Sequence, residues 1–230
     1  MAERPYTLLS CGMSIDGYLD DGSTTRLCLS NQADFARVDT VRAGCDAILV
    51  GAQTVRNDDP RLLVRSPELR AGRRASGRPD SPMKVTVTEK GVLDPAAQFF
   101  RAGEAEKLVY CASPAVPILR DRVGTAATVV DAGDPVRMQD VAEDLHSRGV
   151  RRLMVEGGGS ILTQFLACDL ADELHLVIAP LFVGTRKASR FVRDGQFPFN
   201  PDRRARLAGV EQIGDVVLLR YALSGRFSSA

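Results

Sequence analysis

Histidine is scarce here, with only His146 and His175 in 230 residues. Neither is paired at metal-ligand spacing and no H-E-x-x-H motif occurs, so no metal site is expected. Cysteine is limited to Cys11, Cys28, Cys45, Cys111 and Cys168, an odd and widely spread set without a C-x-x-C pair. Neither a disulfide framework nor a zinc knuckle fits that pattern; core thiols in a reducing compartment do. No run of 18 consecutive apolar residues exists, and Met-Ala-Glu-Arg-Pro lacks the basic and apolar regions of a leader. A cytoplasmic protein with no membrane association is expected. Net charge is almost absent, +1 from 30 basic and 29 acidic side chains, which leaves no electrostatic footprint for nucleic acid. The one local excess, Arg65, Arg70, Arg73, Arg74 and Arg78, lies in a Pro/Gly/Ser-containing segment without aromatics and reads as a solvated loop. Serine-hydrolase G-x-S-x-G and phosphate-binding G-x-x-x-x-G-K-[ST] motifs are missing too.

What is present is an alternation of apolar strands and amphipathic helices, the pattern of a mostly parallel sheet covered by helices. Tyr6–Met13, Ala47–Val50, Val85–Thr88, Leu108–Cys111, Thr125–Val130, Val150–Val155 and Leu174–Ala179 read as strands. Ser30 or Asn31 is placed to cap a helix whose core face carries Phe35, Val38 and Val41. Pro114–Arg122 reads as a short helix. Met138, Val141, Ala142 and Leu145 fall at i, i+3, i+4 and i+7, which predicts a helix ending at Gly149. Ala205–Ile213 and Val216–Leu223 around Gly214-Asp215 read as an antiparallel hairpin. Strand patterns resume directly after the polar stretch 66–82, so it reads as an excursion within a single domain spanning residues 1–230.

Chemistry concentrates at strand ends: Asp16, Thr54, Asp58, Asp59, Glu156 and the three glycines Gly157, Gly158 and Gly159. In the last of these stretches an apolar strand ends in a carboxylate and glycines, and Ile161, Leu162, Phe165 and Leu166 then repeat with helical spacing. Glycines at a strand-to-helix turn let backbone approach a ligand, and the N–H groups of the new helix favour a phosphate. Hydride addition to an imine or carbonyl also needs a proton. This makes Asp58 the candidate general acid and leaves Asp59, before Pro60, as a turn residue.

Read in order, Gly12-Met13-Ser14-Ile15-Asp16-Gly17, Arg42-Ala43 before Ala47–Gly51, Thr54-Val55-Arg56-Asn57-Asp58-Asp59-Pro60-Arg61-Leu62, Val155-Glu156-Gly157-Gly158-Gly159 and Ala171-Asp172-Glu173-Leu174 resemble the reductase domain of bacterial riboflavin biosynthesis, the RibD C-terminal domain family. The zinc-deaminase ligands that precede that domain in bifunctional relatives are absent, so the chain is similar to stand-alone reductases. The resemblance implies an α/β, dihydrofolate-reductase-like fold: three layers, α/β/α, with a mixed, mostly parallel central sheet and the C-terminal antiparallel hairpin, assembled as a homodimer. It implies NADPH as cofactor and reduction of the ribosyl group of 5-amino-6-(5-phosphoribosylamino)uracil, or a close pyrimidine analogue. Cofactor contacts are implied at Gly12, Thr54, Asp58, Thr88, Gly157, Gly158, Gly159, Ser160, Ile161 and Leu162. Substrate contacts are implied at Arg42, Leu62, Arg65 and Glu156, with Asp58 and Glu156 as the catalytic pair. Ser10 and the segment Thr24-Thr25-Arg26-Leu27-Cys28 depart from the bifunctional pattern, and Lys90 is a candidate for a 2′-phosphate. Two other readings remain: the same fold reducing dihydrofolate, a pterin or a specialised pyrimidine, and an NADPH-binding sensor without chemistry.

Overall fold

The computed structural model describes residues 3–23, 25 and 27–227; Thr24 and Arg26 of the departing segment lie outside them. In chain order the elements are β1 (Tyr6–Ser14), α1 (Gln32–Ala43), β2 (Ala47–Gly51), α2 (Ala52–Asp58), α3 (Pro67–Ala75), β3 (Met83–Thr88), α4 (Gln98–Arg101), β4 (Lys107–Cys111), α5 (Val116–Val123), β5 (Thr128–Asp131), α6 (Met138–Ser147), β6 (Arg152–Val155), α7 (Gly159–Ala167), β7 (Glu173–Ala179), β8 (Arg206–Ile213) and β9 (Val216–Ala222). They fall into two compact units, one mainly Val38–Met154, the other Tyr6–Arg37 with the residues from Val155 onward.

In the first unit the strands run in the order β5-β4-β3-β2-β6, and β2 to β5 pair in parallel. Every residue of β2 is buried, which is why it reads as a continuous apolar run rather than an alternation. Met138, Val141, Ala142 and Leu145 of α6 are all buried, as their spacing predicts. The polar stretch after β2 is helical as α2, and the stretch 66–82 contains α3. Ser66 caps α3 by accepting from Leu69 N at 3.1 Å, with Pro67 in the first turn. Its inward residue is Arg73, 2% exposed, which donates from Nε to Pro79 O (2.6 Å) and from Nη1 to Ala43 O (2.9 Å) and Cys45 O (2.8 Å). For Arg73 the solvated-loop reading is therefore corrected: its charge is spread over three carbonyls in the interior.

Helix α1 is capped by Asn31, whose side-chain oxygen accepts from Asp34 N at 3.0 Å. Its inward face differs from expectation. Phe35 is 37% exposed, whereas Asp34 and Asp39 are buried. Both carboxylates are hydrogen-bonded, which is what makes their burial tolerable.

Lys84 of β3 is wholly buried and donates from Nζ to Phe99 O (3.2 Å) and Ala102 O (2.5 Å), carbonyls at the end of α4. Burial, with Lys107 adding repulsion, pushes its ammonium from 10.5 down to about 8. Between those values the unfolded chain binds more protons than the folded one, so stability rises with pH from about 8 to about 10.5. The gain is on the order of 3 kcal/mol. Melting curves across that range, compared with Lys84→Met, should show the rise in the parent only; parallel profiles would refute it.

In the second unit the order is β1-β7-β9-β8, with β1 and β7 parallel and the β7–β9 and β9–β8 pairs antiparallel. The hairpin turns at Gly214, φ +63°. Asp172 closes the far end of this sheet by accepting from Thr7 N at 2.8 Å and Ser224 Oγ at 2.6 Å. Next to it lies a buried polar chain. Glu173 accepts from Tyr6 Oη (2.9 Å) and Arg220 Nη2 (3.2 Å) and bonds His175 Nε2 (2.8 Å). His175 Nδ1 meets Arg37 Nη1 at 3.2 Å, and Arg37 Nε donates to Asp34 at 2.6 Å. The mixed α/β architecture expected from the sequence, mostly parallel with an antiparallel C-terminal hairpin, is the one observed.

Candidate functional site

In the second unit, β6 ends at Val155 and Glu156 follows, half-buried, on the way into the glycine turn. Gly157 has φ +118°, a backbone conformation closed to side chains, and nothing lies within 4 Å of where a Cβ would stand. Gly159 opens α7, and a Cβ there would overlap the carbonyl oxygen of Arg190. The helix start has Gly158 as its cap and no side-chain hydrogen bond. Ile161 and Leu162 bury their side chains and direct their N–H groups to Gly158 O at 2.9 and 3.1 Å. The donors left for a ligand are thus those at the very start of the helix, around Gly159 and Ser160. An uncapped helix start beside an open glycine fits a diphosphate, by its donors and by its dipole. Gly12, half-buried on β1, stands opposite Val177 of β7 in the same unit.

Asp16, another strand-end carboxylate, is a loop anchor. It accepts from Ser14 Oγ at 2.6 Å, Val183 N at 3.1 Å and Gly184 N at 2.8 Å. The Ser14 hydroxyl leads the contacts that hold its carboxyl below the ordinary range.

The first unit holds the remaining candidates. Helix α2 starts directly from the carboxyl end of β2, with Thr54 half-buried and Asp58 exposed at its last position. Asp59 takes a left-handed backbone (φ 41°) and its Oδ1 accepts from Gln98 N at 2.6 Å, so it is the turn residue. Thr88 ends β3, buried, its hydroxyl accepting from Gly91 N at 3.1 Å. Leu62 is 2% exposed and has φ +50°, an unusual backbone for a branched side chain. Arg42 Nη1 donates to Leu63 O at 3.2 Å.

Sequence reasoning missed Asp39. Its carboxylate, 5% exposed, accepts from Arg65 N at 2.7 Å and Ser66 N at 2.8 Å, and so fixes the backbone that carries the exposed Arg65 side chain. The available signal was an aspartate in the middle of a helix, away from its capping positions. Arg42 and Asp39 of α1 thus both hold the loop that carries Leu62 and Arg65, while Thr54 and Asp58 sit on α2.

The family model described as RibD C-terminal domain matches residues 5–219. The chain belongs to this family. Among its members, a 2,5-diamino-6-ribosylamino-4(3H)-pyrimidinone 5′-phosphate reductase from Archaeoglobus fulgidus is 35% identical over 98% of this chain and 99% of its own length. A protein of the same name from Methanothermobacter thermautotrophicus is 32% identical over 96% of this chain and 93% of its own. Both relatives are archaeal, so the expected likeness to bacterial proteins widens to the family as a whole. A solved structure of a pyrimidine reductase-like protein from Corynebacterium diphtheriae, 23% identical, superposes with a TM-score of 0.80 over 95% of this chain and 91% of that one, and shows the same fold.

Proposed function

We propose that this chain is an NADPH-dependent reductase of the riboflavin pathway. Its substrate on this reading is the ribosyl group of 2,5-diamino-6-ribosylamino-4(3H)-pyrimidinone 5′-phosphate, the compound named for both archaeal relatives. The observation that carries the reading is the uncapped start of α7 behind the open Gly157 turn, in a chain that matches these reductases over nearly its full length. The two compact units act on this reading as one reductase domain, since a single family model spans both.

NADPH supplies the hydride when bound. The chain's own residues bind and orient. Gly159 and Ser160, with Gly12, Thr54 and Thr88, hold the cofactor; Ile161 and Leu162 secure the helix start from within. Arg42 and Arg65 suit the substrate phosphate through forked hydrogen bonds, with Leu62 setting the loop between them. Glu156, an acceptor, suits the amino groups of a diaminopyrimidinone, which carries one more amino group than the uracil. Asp58, exposed at the end of α2, supplies the proton from its carboxyl oxygen.

Loss of reduced-nicotinamide absorbance, followed with the diaminopyrimidinone phosphate and with 5-amino-6-(5-phosphoribosylamino)uracil side by side, tests the reading. Faster turnover of the former is expected. NADPH bound but oxidised with neither, nor with dihydrofolate, would leave a sensor. Asp58→Asn should lower kcat by about 10²–10⁴-fold; unchanged turnover and cofactor affinity would remove Asp58 from the site. A cytoplasmic homodimer belongs to the same reading. Strand β7, flanked by β1 and β9, has no free edge, so the apolar Leu207 and Val210 exposed on edge strand β8 are the proposed contact, which light scattering checks.

A further inference from the structure

Beyond the residues assigned so far, the loop after β7 carries an arginine whose position the family motifs do not mark. Arg190 forms a bridge with Tyr18 across the turn that follows β1, and the flanking bonds Leu19 N to Ser189 O (2.8 Å) and Phe191 N to Gly17 O (3.0 Å) lock the two segments together. Its guanidinium lies over the Tyr18 ring, 4.6 Å from the centroid, and Nη2 donates to the Tyr18 hydroxyl at 3.0 Å. Tyr18 itself is buried. On the other side, the Arg190 carbonyl rests against Gly159, and Arg193 N donates to Thr163 Oγ1 (2.8 Å), which in turn donates to Gly159 O (2.6 Å).

Arg190 is thus tied to two elements of the second unit at once, the exit of β1 and the glycine start of α7. A stacked arginine has given up most of its rotamer freedom in advance, so little ordering remains to oppose binding. Among the described residues the only hydrogen-bond partner of its side chain is the Tyr18 hydroxyl, and no carboxylate neutralises it. Nε and Nη1 keep their N–H groups for an acceptor. A stacked, unneutralised guanidinium on an exposed residue, whose own backbone carbonyl packs against Gly159 at the start of α7, is an arrangement for an anion with several oxygens.

We infer that Arg190 is a phosphate-binding residue of this site, with Tyr18 as the residue that positions it. This rests on the reductase reading above. The phosphoryl group belongs either to the cofactor or to the ribosyl phosphate of the substrate, and two measurements on the purified full chain separate them. The first is NADPH affinity by fluorescence titration, the second the KM for the diaminopyrimidinone phosphate at saturating NADPH. Arg190→Ala should weaken one of these about 10- to 100-fold and leave the other within about threefold. A loss confined to NADPH assigns the cofactor phosphates, and a loss confined to KM assigns the substrate phosphate. Tyr18→Phe should reproduce a smaller part of the same loss. If Arg190→Ala melts well below the parent, Arg190→Gln decides instead, since it keeps a stem and a donor for Tyr18 but no charge. Both ligands binding within threefold of the parent in a variant that melts normally would overturn the inference. A parent protein that binds no NADPH would overturn the reductase reading itself, a distinguishable failure.

Discussion

Gly159→Ala is expected to cost both fold stability and cofactor binding. The methyl group would be driven into the Arg190 carbonyl oxygen, a backbone atom that cannot rotate aside, and the segment behind it is held by Phe191 N to Gly17 O and Arg193 N to Thr163 Oγ1. Overpacking of this kind costs about 1–3 kcal/mol, with the upper end expected against fixed backbone. Relief requires α7 to move away, and its first-turn donors move with it. A melting point lower by about 5–10 °C and NADPH affinity reduced at least about tenfold should appear together. An alanine variant that melts and binds like the parent would show that the contact is slack.

The second large effect is expected at Glu173, a residue with no proposed ligand role. It is 3% exposed and gathers Tyr6, His175 and Arg220 around one carboxylate. Burial alone would raise its pKa; bonds from His175, Tyr6 and Arg220 outweigh that and hold it at about 2, against 4.5 ordinarily. Removing it strands those partners, and Arg220 Nε is already buried without an acceptor. Glu173→Ala should therefore destabilise by about 3–5 kcal/mol. Because the folded pKa is depressed, the contribution is complete above about pH 4.5 and is lost as pH falls through about 2. Denaturant midpoints of the parent and of Glu173→Gln should converge on acidification through that window. A gap that stays constant down to pH 2 would mean that the carboxylate charge is not what holds the cluster.

Periodicity revealed those elements whose burial is apolar. Met138, Val141, Ala142 and Leu145 announced α6, and the runs at Ala47–Val50 and Leu174–Ala179 announced β2 and β7. It failed where charged groups occupy the interior. Helix α3 turns inward an arginine that serves three carbonyls, and α1 turns inward Asp34 and Asp39 while leaving Phe35 outside. No hydrophobic template can register such positions: Arg73 and Asp39 are buried against partners tens of residues away, and Asp34 against the polar side chains of Ser30 and Arg37. The candidate site divides in the same manner. Glycines before a helix and carboxylates at strand ends are local patterns and were visible. Asp39, which grips Arg65 N across 26 residues, and Arg190, which meets Tyr18 across 172, are visible only once the chain has folded.

The second unit is assembled from the two ends of the chain: Thr7 on β1 bonds Asp172, 165 residues later. During synthesis β1 leaves the ribosome long before β7, its parallel partner in this unit, exists to pair with it, while Val38–Met154 can already close on its own strands. The nine-residue strand must therefore wait for that partner through most of translation. Delayed pairing of this kind invites aggregation. For this protein the vulnerable interval is set by elongation rate, and slowing the ribosome over residues 38–154 should lower soluble yield without altering a single native contact.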